Sequence, residues 1–296
     1  MAASTVGFVG LGIMGGPMAA NLVKAGFDVV GYNRSRAKVD RLVQAGGRSA
    51  ASAAEAARDR DVVISMLPDS PDVEDIALGD GGALAQGRPG SLYIDMSTVR
   101  PATAMALAEA GRRRGIGVLD APVSGGERGA IEGTLSIMVG GAPADVAAAR
   151  PVLEAMGSTV VHVGAAGAGQ TVKAANQLIA AVTIEAVAEA VVFLEAHGVD
   201  PTVAIGALAG GLAGSAVLDR RSPSMVRRDY TPGFRCALHH KDLGILTSAA
   251  REAGVVIPLG AAAAQLMAAL VAQGHEDLDN TALLQLVEEL SGRRRR

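Results

Sequence analysis

Short apolar runs alternate with longer amphipathic stretches through the first 164 residues. The runs fall at Val6–Gly10, Val29–Tyr32, Val62–Met66, Leu92–Asp95, Gly117–Asp120, Leu135–Val139 and Thr159–Val163. Each is rich in β-branched residues and too short for a helix, which predicts strands. Between them Pro17–Ala25, Arg36–Ala45 and Thr103–Arg114 carry Ala-rich helical patterns. This rhythm predicts βαβ units, a largely parallel sheet and right-handed crossovers. After Gly164 the pattern changes. A stretch of about 30 residues, Gln170 to His197, has helical periodicity, with Gly198 as its stop. Glu185 and Glu189 share one face of it, so it reads as an apolar helix that is not embedded in lipid. Strand signals are almost absent beyond it, and turns fall near Gly210–Gly214 and Thr231–Gly233.

Composition narrows this picture. At roughly 150 residues per domain, 296 residues predict two domains, and the change of pattern places their boundary near Gly164. With 27 basic against 30 acidic residues, 2% aromatics and no Trp, the chain lacks the charge and the stacking platforms for nucleic acid. The one basic cluster, Arg293 to Arg296, reads as a solvated tail. A single cysteine, Cys236, excludes an internal disulfide framework, fits a reducing cytoplasm and reads as a small buried hydrophobe. The N-terminus has no basic segment before Lys24, so no signal peptide is expected. Ala253 to Ala272 has Gln265 as its only polar side chain, but Pro258 and Gly260 interrupt it. It reads as a buried helix rather than a membrane span.

Candidate chemistry begins at Gly10-Leu11-Gly12-Ile13-Met14-Gly15, between the first strand and the first helix. Its glycines suit a tight turn, a close approach of backbone to a pyrophosphate, and close helix–strand packing. The helix N-terminus offers free N–H groups and a positive dipole end. The second strand ends in Tyr32-Asn33-Arg34-Ser35, where an NAD-selective site would usually carry a carboxylate. A guanidinium at Arg34 can instead pair with a 2′-phosphate, which favours NADP(H). The alternative leaves Arg34 as an exposed loop charge and Asn33 on the ribose of NAD(H). Met66-Leu67-Pro68 and Met96-Ser97-Thr98 follow predicted strands, where open α/β sheets bind ligands. Pro68 also suits a plain turn, and Ser97 and Thr98 also suit helix caps.

The opening Phe8-Val9-Gly10-Leu11-Gly12-Ile13-Met14-Gly15-Gly16-Pro17-Met18-Ala19-Ala20-Asn21 resembles the N-terminal signature of the β-hydroxyacid dehydrogenases. Three more segments resemble that family in its order: Asp120-Ala121-Pro122-Val123-Ser124-Gly125-Gly126, Gly169-Gln170-Thr171-Val172-Lys173-Ala174-Ala175-Asn176-Gln177, and Lys241-Asp242-Leu243. The resemblance implies an N-terminal Rossmann-type domain, residues 1–164, and an all-α C-terminal domain, residues 165–296, joined by the long helix. Within the family, Gly210-Gly211-Leu212-Ala213-Gly214-Ser215, Pro232-Gly233-Phe234-Arg235, Leu238-His239-His240-Lys241-Asp242-Leu243 and Met66-Leu67-Pro68-Asp69-Ser70-Pro71 resemble most the branch that reduces tartronate semialdehyde to D-glycerate. Relatives acting on 3-hydroxyisobutyrate, 4-hydroxybutyrate and glyoxylate share the main motifs.

Lys173, Asn176 and Gln177 project toward one side of the long helix. An ammonium there can stabilise the oxygen that gains charge as hydride arrives at an aldehyde carbon, and can then deliver the proton. A lysine pointing into water is the plain alternative. The family's catalytic lysine matches Lys173, and its neighbouring asparagine matches Asn176. Ser124, Gly125 and Gly126 offer a hydroxyl and backbone N–H groups that suit a carboxylate, and the resemblance implies that role. It also implies that Lys241 lies over the nicotinamide end of the cofactor, and that the chain forms homodimers or homotetramers. Asp242 is expected to orient a neighbour that the sequence does not name. His239 and His240 are assigned no catalysis, His162 reads as structural, and no spacing supports a metal site. The predicted ligand is thus a small carboxylate-bearing aldehyde or hydroxy acid, with no nucleic acid and no membrane. An imine reductase would usually lack a lysine at position 173, as would a non-catalytic nucleotide-binding scaffold.

Overall fold

The computed structural model describes residues 5–293. The N-terminal residues 1–4 and the arginines at 294–296 lie outside the described residues. Two compact units divide the chain, one up to Lys173 and one from Ala174 onward.

The first unit is built on nine strands: β1 (Thr5–Val9), β2 (Asp28–Tyr32), β3 (Arg48–Ser49), β4 (Val62–Ser65), β5 (Leu92–Asp95), β6 (Gly117–Asp120), β7 (Val123–Ser124), β8 (Ser136–Gly140) and β9 (Thr159–Gly164). Helices α1 (Gly15–Lys24), α2 (Arg36–Gln44), α3 (Ala53–Ala57), α4 (Ser70–Leu78), α5 (Ala83–Gln86), α6 (Pro101–Arg112), α7 (Gly126–Glu132) and α8 (Pro143–Glu154) connect them. All seven runs of the hydrophobic pattern are strands. The pattern misses β3 and β7, which at two residues each carry no periodicity. The strands lie in the order β3-β2-β1-β4-β5-β6-β8-β7, with β9 paired to β8. Pairing is parallel except where β8 meets β6 and β7.

Alternation along each strand feeds two cores. Val62, Ile64, Leu92 and Ile94 pack on one face with Phe8, Leu22 and Leu119. Val63 and Tyr93 point to the other, against Val73, Leu107 and Val118. A sheet covered on both sides needs nearly continuous apolar strands, which is why these segments are legible in the sequence. The chain runs from β1 outward through β2 and β3, then returns to β4 on the other side of β1. That reversal opens a crevice at the carboxyl ends of β1 and β4.

Helix α9 (Ala168–Ala196) leads from the first unit into the second. There α10 (Pro201–Ala209), α11 (Ala216–Arg227), α12 (Cys236–Glu252), α13 (Pro258–Ala272) and α14 (Leu283–Leu290) follow. Ala181, Ile184, Ala188 and Val191 recur at helical spacing on α9 and pack with Leu218, Met225, Leu243, Met267 and Leu283. Helix α9 is long and apolar enough to cross a membrane by length and composition. It buries Lys173, Gln177 and Glu185 within the protein, as a core helix does. Of the stretch Ala253 to Ala272 read as a buried helix, only α13 is helical; it buries Ala263, Met267 and Leu270 on one face, while Leu259 on it and Val255 and Val256 before it are exposed.

Candidate active site

Register brings the separate motifs together. Tyr32 pairs with Val9, Val9 with Ser65, Ser65 with Asp95, and Asp95 with Asp120. One row thus crosses the sheet at the strand ends, and the residues that follow it form the rim of the crevice. The turn after β1 packs tightly into this rim. A Cβ on Gly10 would lie 2.2 Å from the Met66 carbonyl oxygen, and one on Gly15 would lie 1.9 Å from the Gly10 carbonyl oxygen. A Cβ on Gly12 would meet nothing within 4 Å, so the turn is open on that side. Helix α1 starts at this opening with no acidic residue in its first turn and no side-chain cap at Met14. Uncapped N–H groups facing an open glycine edge fit the pyrophosphate of a dinucleotide. Leu11 is buried beneath the turn, while Ile13 is exposed.

Asn33 ties this turn to the end of β2. Its Oδ1 accepts from Leu11 N at 3.0 Å, and its Nδ2 donates to the Ser35 carbonyl at 3.3 Å. Arg34 and Ser35 are exposed beyond it. The neighbouring Arg36 is paired with Asp40, whereas among the described residues Arg34 has no carboxylate partner. Pro68 is exposed, and Asp69 after it, rather than Pro68 itself, opens α4 by accepting from Ser70 N at 2.6 Å.

Ser97 does not cap a helix. Its hydroxyl donates to Asp95 Oδ1 at 2.7 Å and accepts from Leu67 N at 2.8 Å, joining the loops after β4 and β5. Ser65 Oγ donates to the same Asp95 oxygen at 2.7 Å. Asp95 is 1% exposed, and among the described residues its Oδ2 has no hydrogen-bond partner. Burial pushes its carboxyl up to about 6, against the hydrogen bonds from Ser97 and Ser65. The folded chain therefore holds a proton there, between about pH 4 and 6, that the unfolded chain releases. The resulting stability is complete at low pH and is lost as pH rises through 6. Asp95→Asn is neutral throughout. The difference in Tm between this variant and wild type should grow in the variant's favour from pH 5 to pH 7.5. A difference that stays flat in thermal melts would contradict this.

A second buried carboxylate holds the start of α9. Asp120 accepts from Gly167 N at 2.8 Å and from Gln170 N at 2.9 Å. Burial raises its pKa, opposed by those backbone bonds. The Gln170 side chain accepts from Val99 N at 3.1 Å and donates to the Ser97 carbonyl at 2.9 Å. One turn on, Lys173 is 7% exposed, and its Nζ donates to the Val123 carbonyl at 2.7 Å. The lysine thus points inward, to the residue that precedes Ser124. Gly125 (φ +138°) and Gly126 (φ +66°) shape the turn into α7 with backbone angles that side chains disfavour. Asp95, Asp120 and Gln170 were not singled out by sequence reasoning, although Asp120 and Gln170 stand inside the resembling motifs.

In the helical unit Asp242 finds the partners that the sequence left unnamed. Its Oδ2 accepts from Gln177 Nε2 at 2.6 Å, and its Oδ1 lies 2.8 Å from Lys241 Nζ. Asn176 donates to Gln177 Oε1 at 2.8 Å. His239 is buried beside Asn280, His240 is exposed, and His162 Nε2 lies at 3.0 and 2.9 Å from the Gly141 and Gly164 carbonyls. Burial pushes the Cys236 thiol up to about 12, which makes it a poor nucleophile. Among the described residues no cluster of His, Cys, Asp and Glu could hold a metal.

Residues 5–164 match the family described as the NAD binding domain of 6-phosphogluconate dehydrogenase. Residues 167–287 match that described as NAD-binding of NADP-dependent 3-hydroxyisobutyrate dehydrogenase. The chain is 40% identical over 283 residues to 2-hydroxy-3-oxopropionate reductase of Escherichia coli, covering 96% of this chain and 97% of that one. It is 40% identical over 294 residues to the NAD-dependent L-serine dehydrogenase of Pseudomonas aeruginosa, covering 97% and 99%. The solved structure of Mycobacterium tuberculosis 3-hydroxyisobutyrate dehydrogenase with L-serine superposes with a TM-score of 0.88 at 38% identity, covering 97% of this chain and 99% of that one. Fold and matches together define an NAD(P)-dependent oxidoreductase acting on CH–OH groups. More narrowly, the chain belongs to the β-hydroxyacid dehydrogenase family.

Proposed function

We propose that this enzyme reduces tartronate semialdehyde to D-glycerate, with Lys173 as proton donor and NADPH as the preferred reductant. The observation that carries this reading is the inward course of Lys173, whose ammonium meets the Val123 carbonyl directly before Ser124. An acid and a carboxylate-binding turn then stand side by side. That spacing suits a short molecule whose carbonyl lies one carbon beyond the α-carbon of its carboxylate. Bound NAD(P)H supplies the hydride. Ser124 and the N–H groups of Gly125 and Gly126 hold the carboxylate. Lys173 Nζ donates to the aldehyde oxygen, stabilises the charge that develops on it and releases a proton to it. In the reverse direction the neutral amine takes the proton from the alcohol. Asn176, one turn along α9, borders the substrate. Ser124→Ala should raise KM about tenfold with little change in kcat, the loss expected for one hydrogen bond to a charged group. Unchanged kinetics would remove Ser124 from the site.

The preference for NADP(H) rests on Arg34, exposed and without a carboxylate partner among the described residues, next to an Asn where a carboxylate would repel a 2′-phosphate. The test follows nicotinamide absorbance with D-glycerate, L-glycerate, 3-hydroxyisobutyrate and 4-hydroxybutyrate, each with NAD⁺ and NADP⁺. Turnover strongest with D-glycerate and NADP⁺ is expected. Arg34→Ala should lower kcat/KM for NADP⁺ about tenfold or more while leaving that for NAD⁺ within about twofold. A wild-type preference for NAD⁺ would refute the assignment of Arg34. Turnover strongest with 3-hydroxyisobutyrate would keep Lys173 and change the substrate. Ile179, Phe193 and Val203, exposed on the helical unit, support a homo-oligomer.

A further inference from the structure

Lys241, Asp242, Gln177 and Asn176 form a hydrogen-bonded line in the helical unit, and its polarity is fixed from one end. Lys241 Nζ lies 2.8 Å from Asp242 Oδ1. Asp242 Oδ2 is 2.6 Å from the Gln177 amide, and that amide is 2.8 Å from the amide of Asn176. Asp242 and Gln177 are each only 4% exposed, so water does not rescue a wrong pairing. A carboxylate only accepts, so Gln177 must turn its NH₂ toward Asp242. The Gln177 carbonyl oxygen then faces Asn176, which must turn its own NH₂ back to meet it. The opposite setting would press a carbonyl oxygen against the carboxylate. Asn176 is therefore left with Oδ1 as its outward group, and among the described residues this oxygen takes no hydrogen bond.

We propose that Gln177 and Asp242 are specificity-determining positioning residues. They hold Asn176 with its carbonyl oxygen outward, so that the site prefers β-hydroxyacids whose C-2 carries a hydrogen-bond donor, a hydroxyl or an ammonium, over those whose C-2 carries a methyl. The inference rests on the reading above that Lys173 and Asn176 face the substrate. A C-2 methyl would bury Oδ1 without a partner, and a missing donor of this kind is worth about ten- to a hundredfold in kcat/KM.

The same logic predicts what happens when the first acceptor is changed. In Asp242→Asn, Lys241 still donates to the amide oxygen at position 242, so the new NH₂ faces Gln177. Both downstream amides then reverse, and Asn176 presents NH₂ outward. A hydroxyl can turn and accept from it, whereas an ammonium cannot. Gln177→Met, of similar volume, breaks the line without reversing it and leaves Asn176 able to rotate.

The experiment measures kcat/KM for oxidation of both enantiomers of glycerate, serine and 3-hydroxyisobutyrate by the wild type, Asp242→Asn and Gln177→Met, with Tm recorded for each. In the wild type the better enantiomers of glycerate and serine should each exceed 3-hydroxyisobutyrate by about ten- to a hundredfold. Asp242→Asn should lose at least about tenfold on serine relative to glycerate, and Gln177→Met should keep that ratio within about threefold. A wild type that prefers 3-hydroxyisobutyrate or rejects serine overturns the proposal. So do variants that depress all three alcohols by one factor, the signature of a purely structural line. If the wild type oxidises none of the alcohols with either cofactor, the underlying β-hydroxyacid reading fails as well. Oxidation without the ranking sinks only the role given to Asn176.

Discussion

Lys173→Ala is expected to lower kcat/KM about 10²- to 10⁴-fold, the range for removing a positioned general acid, and to leave cofactor affinity near the wild-type value. The lysine is held before substrate arrives. Its Nζ donates to the Val123 carbonyl, and Asp120 fixes the first turn of α9 through Gly167 N and Gln170 N. Removing the side chain leaves these backbone bonds intact and deprives Val123 O of one donor, a loss of about 1 kcal/mol. A steep fall in turnover with a small change in Tm is therefore the predicted combination. Lys173→Arg adds a second arm. A guanidinium keeps the charge but does not release its proton near neutral pH, so reduction and oxidation should both stay low. Small primary amines added to Lys173→Ala should restore part of the rate, because the cavity lacks a proton donor rather than its shape. Steady-state kinetics and nicotinamide fluorescence titration read both quantities. Near-full turnover in the alanine variant would reject Lys173 as the proton donor.

The parts of this site differ in how far they can be read from sequence. Strands β1, β4 and β5 are legible because a sheet buried on both faces requires unbroken apolar runs. The glycine turn is legible because its spacing follows a strand and opens a helix. Lys173 alone is a weak signal, and the surrounding resemblance supplied its role. The hydrogen-bonded frame was not legible. Asp95 ends a strand as Asp120 does; Asp95 has Ser97 as a local partner, but Ser65 reaches Asp95, and Gly167 and Gln170 reach Asp120, only through the fold. Their roles arise from register, which sets Ser65, Asp95 and Asp120 side by side from positions 30 and 25 residues apart. The helix-cap reading of Ser97 fails for the same reason, since its hydroxyl, donating to Asp95 two residues back, accepts from Leu67 N in the loop after β4. Asp242 and Gln177, 65 positions apart, meet only because α9 and α12 share the core of the helical unit.

Two glycine variants in one turn should separate fold from cofactor binding. A Cβ at position 15 would sit 1.9 Å from the Gly10 carbonyl oxygen and 3.0 Å from the Phe8 ring. Backbone cannot yield there without moving α1 away from β1. Gly15→Ala should therefore cost about 1–3 kcal/mol, the range for overpacking, which lowers Tm by several degrees. A Cβ at position 12 meets nothing within 4 Å. Gly12→Ala has no packing penalty, and the unfolded chain loses freedom, so its Tm should stay level or rise slightly. The same methyl would stand on the open edge of the turn, where a pyrophosphate must approach the backbone, and the dissociation constant for NADP⁺ should rise at least about tenfold. Differential scanning calorimetry and isothermal titration calorimetry with NADP⁺ read the two effects independently. Gly15→Ala should fail in both, because displacing α1 also removes the helix N-terminus from the phosphates. If Gly12→Ala bound NADP⁺ as tightly as the wild type, the pyrophosphate would have to lie elsewhere, and the open glycine edge would be only a surface feature.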